Sequence, residues 1–364
     1  MIQRTVLVVT VVLIAAVMAG LGFAGGYYYR GSPAASPSAV ENSTLSILGA
    51  GTLDTLFPQL ASALVNETPG ISAPAATQTY EGSLDVTTAI TTTHTPADVA
   101  AVADFRLIPS LLEPTYAGYE VVFGATPEVL VYNASLSAFN GINESNWAEK
   151  LLNDVNTPGN KPMAVWNAST DPNGYNEIFS LELQGMLYNN SPTMYYGQLY
   201  GGASGAPAVP NPSRTILEHE SQAATLVTTG VVSALITYRS YAVVNHLHYE
   251  TMNPIVGLGA NNSTALADYA GLSTVLYGGS PGTFSTVHAA PVLFAACVPS
   301  TAPNPALGAA FLHLLLSPEG SAILSQGGAF NPIFPGWIDH ESAAPSVLAP
   351  DVVPMPSWAS AILT

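Results

Sequence analysis

The fold of this 364-residue chain is limited first by a repeated order of short apolar run, glycine turn and helical stretch. The first unit turns at Gly49 and Gly51 and continues as a helical stretch over residues 52–66. Two further predicted strands, at 77–82 and 97–103, flank a second helical stretch at 83–92. Strands that alternate with helices in this way favour an α/β protein whose sheet is mainly parallel.

The same alternation continues along the rest of the chain. A long β-rich run covers residues 119–132 and is bent at Pro127, whereas residues 189–214 are predicted to form a loop from their composition. Hydrophobic periodicity predicts the remaining elements. These are helices at 147–153, 174–188, 221–229, 240–246 and 305–326, and strands at 163–166, 234–238 and 290–298.

The charge balance and the single cysteine exclude several classes of protein. The chain has 24 Asp and Glu against 7 Lys and Arg, a formal net charge of -17. A nucleic-acid-binding surface needs clustered Lys and Arg to displace counterions, so no nucleic-acid partner is expected. A hydrophobic content of 48% is enough for a core and argues against disorder. Cys297 stands alone, which excludes an internal disulfide and a Cys-based zinc or iron–sulfur site.

The amino-terminal segment predicts a position outside the cytoplasm for the rest of the chain. An uncharged apolar run over residues 5–26 has about the length of one bilayer-spanning helix and ends at three tyrosines and Arg30. Residues 1–30 are therefore either a signal anchor, with an apolar helix in the membrane, or a cleaved signal peptide. The Gly/Ser/Pro/Ala-rich residues 31–43 read as a tether.

Two surface features agree with this placement. Eight Asn-X-Ser/Thr sites suit a glycosylated exterior. The scarcity of Lys and Arg limits self-repulsion when the carboxylates are neutralised, so we hypothesise that the protein works in an acidic medium. The eight sites are Asn42, Asn66, Asn133, Asn143, Asn167, Asn189, Asn261 and Asn262.

A small set of turns and strand ends could bind a ligand. Thr52 and Ser83 follow glycine-led turns at predicted helix starts, where unpaired N–H groups suit an oxyanion; both could equally be plain helix caps. Asp171 opens an Asp-Pro-Asn-Gly turn, and Glu220 precedes a helix as a first-turn acid. Tyr238 ends an apolar strand. No hydrolase signature or phosphate-binding loop is present in the sequence.

Several short motifs, read in order, resemble the archaeal tungstate/molybdate-binding proteins of ABC importers, the WtpA branch of the ModA-like family. Their shared order and spacing cover about residues 44–335, nearly all of the chain after the tether. The motifs are ADVAAVADFRLIP at 97–109, PTYAGY at 114–119, INESNW at 142–147, NASTDPNGY at 167–175, the YRS segment within 230–246, and the segment 291–321.

The resemblance implies a two-lobe α/β fold of the periplasmic-binding-protein type (type II), with the ligand held between lobes that close about a hinge. We expect residues 44–127 and 247–340 in one lobe and residues 128–246 in the other. Residues 341–364 would form a C-terminal tail.

The resemblance also assigns roles to the five residues singled out above. Thr52, Ser83 and Tyr238 would bind the oxo atoms, while Asp171 and Glu220 would ligate the metal atom of the oxyanion and expand its coordination from four to six. Sulfate and phosphate cannot expand in this way, so the acid pair would exclude them. The sequence departs from the family's pattern at two positions near these residues. Asn173 stands at the family's cysteine, and Gly49 stands at its histidine.

The function implied is that of a monomeric extracytoplasmic solute-binding protein that is not an enzyme, has no cofactor beyond its ligand, and delivers tungstate or molybdate to separate permease and ATPase chains. Three alternatives stay open. They are a binding protein for another oxyanion such as sulfate or phosphate, a surface hydrolase using Asp171 and Glu220 as a carboxylate pair, and a glycosylated adhesion or sensor module with a non-functional pocket.

Overall fold

The computed structural model describes residues 43–200, 215–217, 220–277 and 284–363. Val40–Thr364 form one compact unit. The predicted apolar helix at 1–30, most of the tether and the Asn42 sequon lie outside the described residues.

Short strands make up several sheets, of which the largest has seven strands. In chain order the strands are β1 Ile47–Ala50, β2 Gln78–Glu81, β3 Val99–Val102, β4 Val121–Ala125, β5 Glu128–Tyr132, β6 Ala164–Trp166, β7 Thr215–Leu217, β8 Ala234–Tyr238, β9 Tyr249–Thr251, β10 Ser273–Tyr277, β11 Phe284–His288, β12 Leu293–Cys297, β13 Asn331–Ile338 and β14 Val352–Pro354.

The helices alternate with these strands along most of the chain. They are α1 Phe57–Glu67, α2 Ser83–Thr91, α3 Trp147–Asn156, α4 Pro172–Asn189, α5 Thr193–Tyr200, α6 Glu220–Thr228, α7 Arg239–Val244, α8 Ser263–Ala270, α9 Pro305–Leu315, α10 Pro318–Leu324 and α11 Ser357–Leu363.

The seven-stranded sheet has the order β14-β13-β4-β12-β3-β1-β2. Strand β1 pairs in parallel with β2 and β3, so the carboxyl ends of these three strands share one edge. Strand β12 is antiparallel to both β3 and β4, which makes β3 and β4 parallel to each other. The predicted strand–turn–helix units at the start of the chain therefore build the parallel half of this sheet. The prediction of a mainly parallel sheet is wrong, because β12 is antiparallel to both of its neighbours and β13 is antiparallel to β4.

A second sheet begins directly after the first one. Strands β4 and β5 are separated only by Thr126 and Pro127, yet β5 lies in a three-stranded antiparallel sheet between β8 and β9. Strand β9 extends this sheet beyond residue 246, where the sequence-based lobe boundary was drawn. Strands β6 and β7 pair in parallel, and β10 and β11 pair as an antiparallel ribbon. The β-rich run at 119–132 is thus two strands that serve two sheets.

Aromatic side chains hold the core of the large sheet against its helices. Phe57 on α1 and Phe311 on α9 meet edge to face with centroids 5.2 Å apart. Phe294 and Phe330 meet in the same way at 4.9 Å. Each such side chain, fully buried, contributes about 1.5–3 kcal/mol relative to its exposed state.

Two predicted elements differ from the structure. Residues 193–200, predicted as loop, form α5, because Tyr195, Tyr196 and Tyr200 are buried against neighbouring helices and this burial outweighs the loop-like composition. The single helix predicted at 305–326 is two helices, since Ser317 caps α10 just before Pro318.

These two helices are also the closest approach to a membrane span in the described part of the chain. No single helix there is both long enough and apolar enough to cross a membrane. Helices α9 and α10 reach that length and hydropathy only when taken together, across a bend of 72°.

Candidate functional site

The carboxyl ends of the three parallel strands place three polar side chains at one edge of the large sheet. Thr52, Ser83 and Asp104 each stand two residues past the end of β1, β2 and β3, respectively. Because Ala50 pairs with Glu81 and the strands are about 4.8 Å apart, the first two turns lie side by side. All three residues are buried. Sequence reasoning found Thr52 and Ser83 from their glycine-led turns.

Thr52 lies in the short turn Gly51–Leu53 and is fully buried. Helix α6, whose first residue is Glu220, packs beside this turn. The side chain of Glu220 lies outside the described residues, so its predicted role as a metal ligand stays a prediction. The backbone nevertheless brings the helix that begins at Glu220 into contact with the turn that carries Thr52.

Ser83 is the first residue of α2 and is 1% exposed. Its Oγ accepts a hydrogen bond from the backbone N–H of Ala103 at 2.9 Å, which ties the start of α2 to the end of β3. This bond uses an oxygen lone pair, so the hydroxyl hydrogen can still be donated to a ligand. Ser83 is therefore positioned as a fixed donor beside a helix N-terminus.

Asp171 is the N-cap of α4, where its side chain accepts from the backbone N–H of Asn173 at 2.9 Å. Burial raises the pKa of Asp171 to about 6; the bond from Asn173 works in the opposite direction, and the nearby charge of Asp85 raises the pKa further. A carboxylate buried at a helix N-terminus with a raised pKa is a feature of ligand sites.

The starts of α2 and α4 are in direct contact, which brings Ser83 and Asp171 together. The backbone N–H of Leu84 donates to the carbonyl oxygen of Thr170 at 3.2 Å. Gly82 is required here, because a Cβ atom at this position would lie 2.3 Å from the same carbonyl oxygen. Two predicted site residues 88 positions apart in sequence thus meet across a contact that tolerates no side chain.

Tyr238, the last residue of β8, contacts helix α4, which begins next to Asp171. It is fully buried, and its hydroxyl accepts from the Asn176 side-chain nitrogen at 3.3 Å. Its ring meets Phe294 edge to face at 5.5 Å. Tyr238 therefore braces the first turns of α4 against β12.

A buried ion pair that sequence reasoning missed connects β3 with α4. Asp104 binds Arg106 through Nε at 2.9 Å and Nη2 at 2.6 Å, and it accepts a bond from the Tyr175 hydroxyl at 2.7 Å. Although burial acts to raise the pKa of Asp104, Arg106 and these bonds hold it below its usual value. The sequence did contain a signal for this pair. The chain has only seven Lys and Arg residues, and one of them, Arg106, stands two positions after Asp104.

Asn173 supports a second buried acid. Glu128, the first residue of β5, is fully buried, and its pKa is raised by burial and by the charges of Glu177 and Asp171. The Asn173 amide is satisfied at both ends only with its nitrogen toward Glu128, where it donates to both carboxylate oxygens at 3.2 Å. The asparagine at the family's cysteine position is thus part of a hydrogen-bonded core beneath Asp171.

The histidine pair near the end of α7 is not part of this arrangement. His246 and His248 are both exposed. Both are therefore solvated side chains rather than parts of the candidate site.

Comparison with known proteins gives relatives over most of the chain. Residues 45–329 match the family described as bacterial extracellular solute-binding protein. The chain is 27% identical over 301 residues to an uncharacterized solute-binding protein of Petrotoga mobilis, covering 82% of this chain and 86% of that protein. It is 26% identical over 339 residues to the molybdate/tungstate-binding protein WtpA of Thermococcus kodakarensis, covering 89% and 90%. The expected resemblance to the tungstate/molybdate-binding branch is confirmed.

Solved structures share the fold at low sequence identity. The periplasmic molybdate-binding protein of Azotobacter vinelandii has a TM-score of 0.52 and 12% identity, covering 79% of this chain and 98% of that chain. The sulfate-binding protein SubI of Mycobacterium tuberculosis has a TM-score of 0.53 and 12% identity, covering 86% and 92%. The predicted α/β fold of the periplasmic-binding-protein type is confirmed. Because the family model spans most of the chain, this protein belongs to the bacterial extracellular solute-binding protein family.

Proposed function

We propose that this protein captures tungstate or molybdate outside the cytoplasm and presents it to an ABC importer. The observation that carries the proposal is the meeting of Ser83, at the start of α2, with the buried N-cap Asp171 of α4. The named function of the WtpA relatives supports the same substrate class. Permease and ATPase would be separate chains.

The oxo atoms of the ligand would be bound by hydroxyl groups and helix N-termini. Thr52 and Ser83 lie on neighbouring turns, and the N–H groups at the start of α2 add donors to a poorly hydrated site. Tyr238 would act by holding the first turns of α4 through Asn176 or by contacting the oxyanion.

The acids would contact the metal atom itself. A carboxylate facing a tetrahedral dianion is repelled unless its oxygen bonds the central atom. Asp171 and Glu220 in that role would expand the coordination of tungsten or molybdenum to six, and sulfur offers no such expansion. This gives a reason for a buried acid in an anion site and a basis for rejecting sulfate.

An alternative ligand is another oxyanion, and the raised pKa of Asp171 favours it in strong acid. Below a pH of about 6 the Asp171 carboxyl is protonated and becomes a hydrogen-bond donor rather than a metal ligand. A sulfate or phosphate ion could then accept its proton. Solute binding is retained in this alternative, and the selectivity changes with pH.

Location and assembly follow from the same proposal. The ligand-binding part would lie outside the cytoplasm as a monomer, held by an apolar helix at 1–30 or released after signal cleavage. The two sheets on either side of Pro127 would belong to two lobes that close on the ligand.

Titration calorimetry with tungstate, molybdate and sulfate tests the proposal. At pH 7 we expect tungstate and molybdate to bind at least about 100-fold more tightly than sulfate, because two metal–ligand bonds are at stake. Asp171→Asn keeps the N-cap acceptor but removes the charged ligand, so this preference should fall by about tenfold or more.

Asp154→Asn is the matched control for this change. Asp154 is also a buried acid, on α3, and its Oδ1 accepts from Asn160 rather than from site residues. We expect the Asp154→Asn protein to bind tungstate, molybdate and sulfate with the same affinities as the unmodified protein. Equal affinity for sulfate and tungstate in the unmodified protein would contradict ligation of the metal atom by Asp171.

A further inference from the structure

A second group of titratable side chains lies at the opposite edge of the seven-stranded sheet from Thr52 and Ser83. Strand β4 runs parallel to β3, so the start of β4 is at the edge where β3 begins. Glu120 precedes β4, and Asp339 and His340 follow β13, which is antiparallel to β4. Glu113 follows the turn Ile108–Leu112 beside this edge. None of these four residues takes part in the proposed oxyanion site.

The donor atoms in this group are close enough to share one ion. His340 Nδ1 lies 3.1 Å from Glu113 Oε2 and 2.9 Å from Asp339 Oδ2. One ligand atom from each of these three residues lies within 4.8 Å of the other two. Imidazole nitrogen together with carboxylate oxygen is a donor set that suits divalent transition metals.

A fourth acidic residue, Glu120, neighbours this group and has no hydrogen-bond partner for its carboxylate among the described residues. It is fully buried. Val121 pairs with Ala296 and Ile338, so Glu120 sits one step further along, between Cys297 and Asp339 on one face of the sheet.

The charges that act on Glu120 also indicate that it lies near Asp339 and Glu113. After burial, the largest cause that raises the pKa of Glu120 is the charge of Asp339, followed by that of Glu113. Burial raises the pKa of the Cys297 thiol as well, and Glu120, Glu113 and Asp339 raise it further. The three acids are therefore neighbours, and the backbone N–H of Glu120 donates to Asp339 Oδ1 at 2.8 Å.

Among the residues that the structure describes, no lysine or arginine forms an ion pair with Glu113, Glu120 or Asp339. Three carboxylates carry −3 when ionised, and one imidazolium returns at most +1, leaving −2. Arg106 is paired with Asp104, Arg239 donates to Asn331, and Lys150 donates to the carbonyl oxygen of Asn140. Unpaired buried carboxylates are costly, and a divalent cation would offset this deficit.

We propose that a divalent transition-metal cation binds at this edge, with Glu113, Asp339 and His340 as ligands and Glu120 as a further carboxylate turned toward it. The ion would join the turn after Ile108–Leu112 to the end of β13 and stabilise the chain between them. This inference is independent of the oxyanion site.

Zinc titration of the full-length protein, purified free of metal, tests the inference. At pH 7 we expect one Zn²⁺ per chain by calorimetry and a rise in Tm on addition of Zn²⁺. Glu113→Gln and His340→Ala should each weaken Zn²⁺ binding by about tenfold or more. Tungstate affinity should stay unchanged in both variants, which separates this site from the proposed transport function.

His313→Ala is the matched control. His313 pairs with the carboxylate of Asp351 and is 48% exposed against 62% for His340, but it has no second acid in its ion pair. Its loss should leave Zn²⁺ binding intact. The proposal is overturned if the unmodified protein takes up no Zn²⁺, if the Glu113 and His340 variants bind it equally well, or if His313→Ala weakens binding as much as they do.

Discussion

At the residue scale, the hydroxyl of Tyr175 is the contact whose contribution can be measured most cleanly. Its bond to Asp104 joins β3 to the helix that carries Asp171, so Tyr175→Phe should lower the free energy of unfolding by about 1–3 kcal/mol. Denaturant titration measures this change. Tyr196→Phe is the control, since the buried Tyr196 hydroxyl has no hydrogen-bond partner among the described residues. Equal losses in the two variants would contradict a structural role for the Tyr175–Asp104 bond.

Individual residues also show which parts of the site could be predicted from the sequence. Thr52 and Ser83 were predictable, because a glycine-led turn before a helix is a local signal. The bond from Tyr175 to Asp104 was not, since Tyr175 lies 71 residues away and only the tertiary fold brings the two side chains together. The same applies to Glu120, whose burial depends on three strands from distant parts of the chain.

At the element scale, the contact between the starts of α2 and α4 is the feature that the site requires. In Gly82→Ala the new methyl group would meet the carbonyl oxygen of Thr170 and push the two helix starts apart. We expect a loss of about 1–3 kcal/mol in stability and a larger fractional loss of oxyanion affinity. Gly271→Ala is the control, because its nearest neighbour would be 3.5 Å away and its backbone φ is −79°. Unchanged oxyanion binding in Gly82→Ala would show that this contact does not form the site.

Elements were predicted well where the signal was local and poorly where burial decided. The strands and helices around the glycine-led turns follow from hydrophobic period and turn residues. Helix α5 could not be predicted in this way, because its tyrosines and small polar residues are typical of a loop. Its packing against α3 and α4 makes it a helix.

At the scale of the whole molecule, the buried acids predict how stability varies with pH. The pKa is raised to about 6 in Asp171 and about 7 in Glu113, and it is raised in Glu120 and Glu128 too. Between about pH 4 and 7 the folded protein therefore binds more protons than the unfolded chain, so stability falls as pH rises. For Asp171 alone the difference is on the order of 2–3 kcal/mol.

Thermal unfolding from pH 3 to pH 8, with divalent cations removed, measures this dependence. We expect the highest Tm near pH 4, with a loss below it as Asp104, whose pKa is lowered, becomes protonated. Such a profile would agree with the hypothesis of an acidic working medium. A Tm maximum at neutral pH would contradict both that hypothesis and the raised pKa values of these buried acids.

The most direct test of the proposed function is the tungsten X-ray absorption spectrum of the protein loaded with tungstate at pH 7. If Asp171 and Glu220 ligate the metal, tungsten should show six light-atom neighbours, and Asp171→Asn should reduce that number. A tungsten atom with four equivalent oxygens in both proteins, or no retained tungsten, would contradict the account.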